Sequence, residues 1–273
     1  MTKLRRHRSK FLSGQAWLSI FITKLTILTL VLPGLPGCRT EKSSNELTIS
    51  SAVSLKDAFN EIAELNQKRN EAKIHFNFGA SGTLQKQIES GAPVDVFASA
   101  GAKQMDELAA KGLIVSSTRK DFARNLLVLI TPANNTALNS FADLAKAEVK
   151  KVSIGNPKTV PAGQYTEQTF HKLNLLQQIQ SKLIYAEDVR QVLDYVVRDE
   201  VDAGVVYSSD ALSAGTKIKV VARAADDSHD AILYPIAVLK ESHQQEAAQK
   251  FIDLVLSAEG QRILAKHGFV AIK

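Results

Sequence analysis

The chain has 273 residues, and its 34 Lys and Arg against 28 Asp and Glu give a formal net charge of +6. Residues 1–37 hold six of the bases and none of the acids, so the rest of the chain is balanced with 28 of each. This balance argues against nucleic-acid binding through a general basic surface, and the roughly 230 remaining residues are enough for two small lobes or one larger domain.

The first 37 residues have the pattern of a secretory signal peptide. Five Lys or Arg fall within the first ten residues, a mostly apolar stretch covers 17–32, and Gly37 precedes the expected cleavage point. Lys24 interrupts the stretch, which is also shorter than the roughly 20 apolar residues that a membrane-spanning helix needs. We therefore expect an exported protein on the periplasmic or cell-surface side of the membrane.

Cys38 follows this segment and is the single cysteine of the chain, so no intrachain disulfide can form. The sequence Leu35-Pro36-Gly37-Cys38 resembles the bacterial lipobox, although Pro36 is an unusual residue for that motif. The resemblance implies that Cys38 carries a lipid that anchors the protein to the membrane, with residues 38–46 as a polar tether. The alternative is an unmodified thiol beside an ordinary signal-peptidase site.

Strand-like and helix-like patterns alternate over the rest of the chain. Their alternation predicts an α/β fold in which helices flank largely parallel sheets. The predicted strands cover 47–53, 73–78, 94–98, 126–131, 152–154, 183–185, 203–207, 218–221 and 232–239, and the longer predicted helices cover 55–68, 103–111, 166–176, 189–198 and 244–265.

Two long apolar strands, 126–131 and 232–239, suit a chain that crosses twice between two lobes. Pro235 lies inside the second of them and favours an edge or crossover strand, because proline cannot donate a hydrogen bond to a sheet. We therefore predict a discontinuous first lobe, residues 47–126 with 236–273, and a second lobe of residues 127–235.

Two turns from a strand into a helix carry serines in the first half of the chain. Ser54 is followed three residues later by Asp57, which fits a capping box. Ser81 lies in the turn 79–84, where small residues let the backbone approach a ligand and expose consecutive N–H groups. For each turn the alternative is a role in helix capping alone.

Two further turns and one strand end follow in the second half. A helix that starts near Pro161 leaves the Ala162 and Gly163 amides without intrahelical partners, and Asp188 as N-cap leaves the Val189 amide at a helix start. Tyr207 ends a predicted strand. In an open α/β sheet such positions gather at the carboxyl ends of the strands, and helix N-termini there attract anions.

Six ordered segments resemble the periplasmic molybdate-binding proteins. The resemblance runs from about residue 47 to residue 272, and it implies a two-lobed type II periplasmic-binding-protein fold with the oxyanion in the cleft between the lobes. The segments are Ala52–Leu55, Gly79–Leu84, Gly91–Phe97, Pro161–Gly163, Ala186–Arg190 and Val205–Tyr207.

Carried onto this chain, the resemblance implies five ligand-binding residues that contact the molybdate oxygens. Ser54 and Ser81 would each donate a hydroxyl and a backbone N–H, Ala162 and Val189 a backbone N–H, and Tyr207 its hydroxyl. Molybdate or tungstate is then the ligand, with no other cofactor and no catalytic residue. The implied partners are the permease of an ABC importer and, through the lipid, the membrane; we expect a monomer and no nucleic acid.

Three other functions are weighed against molybdate capture. A binding protein for sulfate or another oxyanion would share the same fold and donor chemistry. A hydrolase is disfavoured because the turn at 79–82 lacks the Gly-x-Ser-x-Gly spacing of a nucleophile elbow, and the histidines show no metal-ligand spacing. A ligand-sensing domain of a transcription factor conflicts with the export signal.

Overall fold

The computed structural model describes residues 46–69, 71–135 and 137–272. The predicted signal peptide, the predicted lipidation site Cys38 and nearly all of the predicted tether over 38–46 lie outside the described residues. Within the described ranges, no helix has the length and apolar character that crossing a membrane requires.

The described strands form two five-stranded sheets. In chain order they are β1 (Glu46–Ala52), β2 (Lys73–Gly79), β3 (Val96–Ala98), β4 (Lys120–Arg124), β5 (Leu127–Pro132), β6 (Val152–Gly155), β7 (Leu183–Ala186), β8 (Ala203–Tyr207), β9 (Ile218–Arg223) and β10 (Leu233–Val238). The first sheet has the order β2-β1-β3-β10-β4 and the second has the order β7-β6-β8-β5-β9.

Helices flank both sheets, as the alternating pattern predicts. The α-helices are α1 (Lys56–Lys68), α2 (Ser81–Glu89), α3 (Ala102–Ala110), α4 (Pro161–Lys172), α5 (Leu176–Ile179), α6 (Val189–Val197), α7 (Ser208–Ala214), α8 (Gln245–Leu256) and α9 (Ala258–Lys266). Short 3-10 helices cover Val53–Leu55, Ser116–Thr118, Phe141–Ala145, Gln180–Lys182 and Gly215–Lys217.

Each sheet combines parallel and antiparallel pairs. In the first, β1 pairs in parallel with β2 and β3, whereas β10 runs antiparallel to β3 and β4. In the second, β6 pairs in parallel with β7 and β8, whereas β5 runs antiparallel to β8 and β9. In each sheet four of the five strands therefore run in the same direction, as predicted. The fifth strand, β10 in the first sheet and β5 in the second, follows a crossing between the sheets and runs opposite to the others.

The chain passes between the sheets at two neighbouring places. It leaves the first sheet between β4 and β5, and it returns between β9 and β10. The two crossings touch, since the Asn125 N–H donates to the Ile232 carbonyl at 3.3 Å. All of β10 pairs in the first sheet, so the chain returns there ahead of Leu233 rather than at residue 236.

An aromatic cluster packs helices onto the first sheet. Phe59 on α1 is fully buried, and its ring centroid lies 5.6 Å from that of Phe251 on α8 and 5.9 Å from that of Phe122 on β4. Burying an aromatic side chain of this size contributes about 1.5–3 kcal/mol. The cluster holds α1, and with it the turn that carries Ser54, against the sheet.

Two helices differ from the sequence prediction. The segment predicted as one helix over 244–265 is divided at Ser257, whose hydroxyl accepts the Gly260 N–H at 3.2 Å and starts a new helix. α4 begins at Pro161, where the turn at Ala162 predicts a helix start and five residues ahead of the helical pattern over 166–176, because proline suits the first helical position, where no intrahelical N–H bond is lost.

Candidate functional site

A narrow cleft lies between the carboxyl ends of the strands of the two sheets. All five residues predicted to bind the oxyanion line it, and none of its lining side chains carries a charge. The lining residues are Ala52, Val53, Ser54, Gly79, Ala80, Ser81, Ala100, Val160, Pro161, Ala162, Val189 and Tyr207. The structure thus brings together turns that are up to 153 residues apart in the chain.

Ser54 lies in the 3-10 turn that joins β1 to α1. Its side chain is 2% exposed, and its Oγ lies 3.0 Å from the hydroxyl of Tyr234. The predicted capping box with Asp57 is wrong: Leu55 is the N-cap of α1 and no side chain caps it. The inserted 3-10 turn moves Ser54 into the first turn of the helical segment, where its backbone N–H lacks an intrahelical acceptor.

Ser81 is the first residue of α2, so its backbone N–H also has no partner in its own helix. Its hydroxyl oxygen accepts the Ala100 N–H at 2.9 Å. The next residue, Gly82, donates its N–H across the cleft to the Thr159 carbonyl at 2.9 Å. A Cβ at Gly82 would lie 2.6 Å from that carbonyl oxygen, so this close approach requires glycine.

Ala162 and Val189 contribute helix N-termini from the second sheet. Ala162 is the second residue of α4 and Val189 the first residue of α6, and both are at most 3% exposed. Asp188 caps α6 as predicted, because its carboxylate accepts the Gln191 N–H at 2.9 Å. That cap leaves the Val189 amide unpaired within its helix.

Tyr207 ends β8 with its ring fully buried and not in water. Its hydroxyl donates to the Ala100 carbonyl at 3.2 Å, so the Ala100 backbone binds both Tyr207 and Ser81. Burial raises the pKa of the Tyr207 phenol well above its usual value, since the phenolate would lose its hydration. The phenol therefore keeps its proton and remains a donor.

An ion-pair network lies beside the cleft and joins the two lobes. Arg190 on α6 donates from Nη2 to Asp57 on α1 at 2.7 Å and from Nε to Asp210 on α7 at 2.6 Å. Asp210 is fully buried, and burial raises its pKa to about 6 although Arg190 acts in the opposite direction. The sequence alone assigned no role to Arg190.

Sequence reasoning also missed two polar side chains behind Ser54. Tyr234 on β10 is fully buried and contacts Ser54, while Asn125 lies at the crossing between the sheets, 3.2 Å from the Tyr234 hydroxyl. The apolar run that contains Tyr234 predicts a strand but not which face its phenol occupies. A pairing 180 residues apart leaves no local pattern.

Two other observations bear on what the site does. In the described part of the chain, no group of three or more His, Cys, Asp or Glu is placed to hold a metal ion. A larger open groove lies between α1 and α9, and one of its ion pairs is Lys266 with Glu61 at 2.9 Å. The narrow cleft, whose amides and hydroxyls face a common space, is the better candidate.

The sequence pattern of the family described as bacterial extracellular solute-binding proteins matches residues 47–270. A Bacillus subtilis protein provisionally named an ABC transporter substrate-binding lipoprotein is 38% identical, over 93% of this chain and 98% of its own. The molybdate-binding protein of Haemophilus influenzae is also 38% identical, over 84% of this chain and 91% of its own.

A solved structure supports the fold. The periplasmic molybdate-binding protein of Azotobacter vinelandii has a TM-score of 0.76 to this chain, covering 83% of this chain and 100% of that one at 22% identity. This similarity confirms the predicted two-lobed α/β fold. At that level of identity it carries no information about the ligand of this chain.

Proposed function

This chain belongs to the family of bacterial extracellular solute-binding proteins, and on that premise we propose that it captures molybdate outside the cytoplasm and delivers it to the permease of an ABC importer. The observation that carries the proposal is a buried cleft lined by hydroxyls and helix N-terminal amides, without a charged side chain. Relatives named as molybdate-binding proteins support the choice of ligand.

The donor set suits a tetrahedral dianion. Molybdate has four oxygens that only accept hydrogen bonds. The five proposed residues supply seven neutral donors, two each from Ser54 and Ser81 and one each from Ala162, Val189 and Tyr207. The Tyr207 hydroxyl, which donates to the Ala100 carbonyl in this structure, would turn its proton to the anion. A hydrogen bond to a charged partner contributes about 1.5–3 kcal/mol. Several such bonds outweigh the free energy lost on association and support tight binding.

Selectivity follows from the same chemistry. Phosphate keeps a proton at neutral pH and needs an acceptor, which this set of donors does not provide. Sulfate has the same charge and shape as molybdate and is excluded by size alone. Tungstate resembles molybdate in size, charge and shape, so we expect it to bind about equally well.

Anion binding would join the lobes. Ser54 and Ser81 belong to elements of the first sheet, whereas Ala162, Val189 and Tyr207 belong to elements of the second. A ligand held by both sets favours the closed arrangement, and the importer would recognise that arrangement. Small-angle scattering should show compaction of the full chain when molybdate is added.

Export and membrane anchoring are part of the proposal. We expect cleavage after Gly37 and lipidation of Cys38. A relative that is provisionally named a lipoprotein supports this expectation. Mass spectrometry of the protein from a bacterial host should show a diacylglyceryl group on Cys38. A Cys38→Ala variant should leave the membrane fraction, and its retention there would contradict anchoring through this residue.

Calorimetry tests the ligand directly. The full chain, purified in detergent, is titrated with molybdate, tungstate, sulfate and phosphate at pH 7.5. We expect molybdate and tungstate to bind far more tightly than the other two anions. Equal or tighter binding of sulfate would overturn the proposed specificity.

A further inference from the structure

A chain of buried hydrogen bonds runs from the crossing between the lobes to Ser54. Asn125 Nδ2 lies 3.2 Å from the Tyr234 hydroxyl, and that hydroxyl lies 3.0 Å from Ser54 Oγ. The three residues are at most 4% exposed. Because buried polar groups need partners, the direction of each hydrogen bond in this chain can be worked out by accounting for every proton.

The orientation of Asn125 is fixed by its other neighbours. Its Oδ1 accepts the backbone N–H of Leu126 and the hydroxyl of Ser208, each at 2.9 Å. A backbone N–H can only donate, so the atom that faces it must be the amide oxygen. Nδ2 therefore faces Ser209 Oγ at 2.9 Å and the Tyr234 hydroxyl, to which it donates.

The direction of the next hydrogen bond follows from the single proton of Tyr234. Its oxygen already accepts from Asn125, and its two hydroxyl neighbours are Ser54 and Tyr207. Of these two, Ser54 Oγ is the one within hydrogen-bond distance, at 3.0 Å. Burial raises the pKa of Tyr234 well above its usual value, so the proton stays on the phenol. If Ser54 donated instead, a buried phenolic proton would have no acceptor, which is costly. Tyr234 therefore donates to Ser54.

Because Ser54 Oγ accepts the Tyr234 proton, the hydroxyl proton of Ser54 is free to point into the cleft. Ser81 reaches an equivalent state by a different route, since its Oγ accepts the backbone N–H of Ala100 at 2.9 Å. Both serine oxygens thus accept a proton from the protein, and both serine protons face the place where an anion would bind. One serine is oriented by the backbone and the other by a side chain.

We propose that Asn125 and Tyr234 are positioning residues that hold Ser54 as a hydrogen-bond donor and so select oxyanions that carry no proton. The inference rests on the proposed function, because it assigns a role within the oxyanion cleft. A fixed donor favours molybdate, whose oxygens only accept. It disfavours phosphate, whose hydroxyl would meet the Ser54 proton instead of an acceptor.

A double-mutant cycle in the full chain tests this role. Tyr234→Phe removes the phenolic oxygen and leaves Asn125 Nδ2 paired with Ser209, so no buried donor loses every partner. We expect this variant to weaken molybdate binding about 3- to 10-fold and Ser54→Ala to weaken it about 10- to 100-fold. In the double variant Tyr234→Phe should add less than about twofold, because it acts through the Ser54 hydroxyl.

Two further measurements separate positioning from a structural role. Tyr234→Phe should weaken phosphate binding less than molybdate binding, so the ratio of the two affinities falls. Tyr165→Phe is the matched control, since Tyr165 is another buried phenol that lies outside this hydrogen-bonded chain, and it should leave that ratio unchanged. Urea unfolding of each variant checks that the fold is retained.

Equal weakening by Tyr234→Phe with and without the Ser54 hydroxyl, or equal weakening of both anions, would assign Tyr234 to packing and overturn the inference. If the wild-type chain prefers sulfate, the proposed ligand is wrong, and the cycle is repeated with sulfate. A coupled cycle then still supports the positioning role, and an additive one overturns it.

Discussion

Replacing Asp57 by Asn removes the bridge between the lobes while keeping the ion pair within the second lobe. Arg190 retains Asp210, 2.6 Å away, and loses only its partner on α1. The Asp57 side chain is 40% exposed, so solvent screens the pair and its contribution is about 0.2–1 kcal/mol. Since this energy favours closure, we expect molybdate affinity to fall about 2- to 5-fold with little change in the free energy of unfolding.

Arg190→Met has the opposite design, because it leaves the fully buried Asp210 carboxylate without its cation. Breaking a buried pair from one side costs about 3–5 kcal/mol. We therefore expect a large loss in the free energy of urea unfolding, in addition to weaker binding. The pair of variants separates the energy of closing the lobes from the energy of holding α6 against α7.

A matched control is available within one lobe. Arg69 and Glu259 form an exposed pair at 2.7 Å between the end of α1 and α9, two helices that pack against each other. Glu259→Gln should leave molybdate affinity unchanged when measured by calorimetry. Equal losses of affinity in Asp57→Asn and Glu259→Gln would refute a closing role for the bridge, as would an unfolding penalty for Asp57→Asn as large as that of Arg190→Met.

The pH dependence of Arg190→Met gives a second check on the same reasoning. The pKa of Asp210 is raised to about 6 by burial, so between about pH 4 and pH 6 the folded state holds a proton that the unfolded state has lost. The contribution of this group to stability therefore declines as pH rises through that window. Without Arg190, which lowers the pKa, the decline should extend above pH 6. The variant should lose more stability at pH 8 than at pH 5; equal losses would contradict a charged Asp210.

Three further variants test the cleft itself. The double change of Ser54 and Ser81 to Ala should cost several kcal/mol of molybdate binding energy, with non-additivity, and unchanged affinity would restrict both serines to structural roles. Tyr207→Phe should weaken binding about 10- to 100-fold, and because the buried Ala100 carbonyl loses its donor it should also lower the free energy of unfolding by about 1–3 kcal/mol; calorimetry and urea unfolding measure the two effects separately. Gly163→Ala should destabilise the fold by about 1–3 kcal/mol, because its Cβ would lie 2.0 Å from the Gly155 carbonyl oxygen; wild-type stability would show that α4 can move away.

The sequence was most informative where local chemistry and topology agree. Apolar strands followed by small residues and helix starts predicted the turns at Ser81, Ala162 and Val189, and all of these line the cleft. They converge because parallel strands end at a common edge, and this consequence requires no knowledge of distant contacts. The carried-over ligand residues thus occupy one place, although their contacts with an anion remain a prediction.

Other features depend on contacts that no local pattern encodes. The Ser54–Asp57 spacing resembles a capping box, yet a 3-10 turn delays the helix start and Ser54 contacts Tyr234 on a strand far along the chain. Strand direction is similarly hidden, because the apolar pattern of β5 or β10 is the same in a parallel and an antiparallel pair. Local sequence patterns therefore do not predict the order of the strands in each sheet or the face on which a side chain lies, and only the tertiary structure shows them.

The charged side chains near the cleft lie outside it, whereas neutral hydrogen-bond donors line it. This arrangement explains how one small cleft could bind an anion both tightly and selectively. Arg190 follows Val189 directly, but its guanidinium is bound to two carboxylates and does not line the cleft. A free cation there would attract any anion, protonated or not, and charge alone would not distinguish among them. A neutral hydrogen-bond donor whose proton is held in one direction by the fold acts differently. It binds an anion oxygen that can accept a hydrogen bond, and it disfavours an anion hydroxyl at the same position. With its guanidinium paired, Arg190 can contribute to closing the lobes, and discrimination is left to neutral donors such as Ser54.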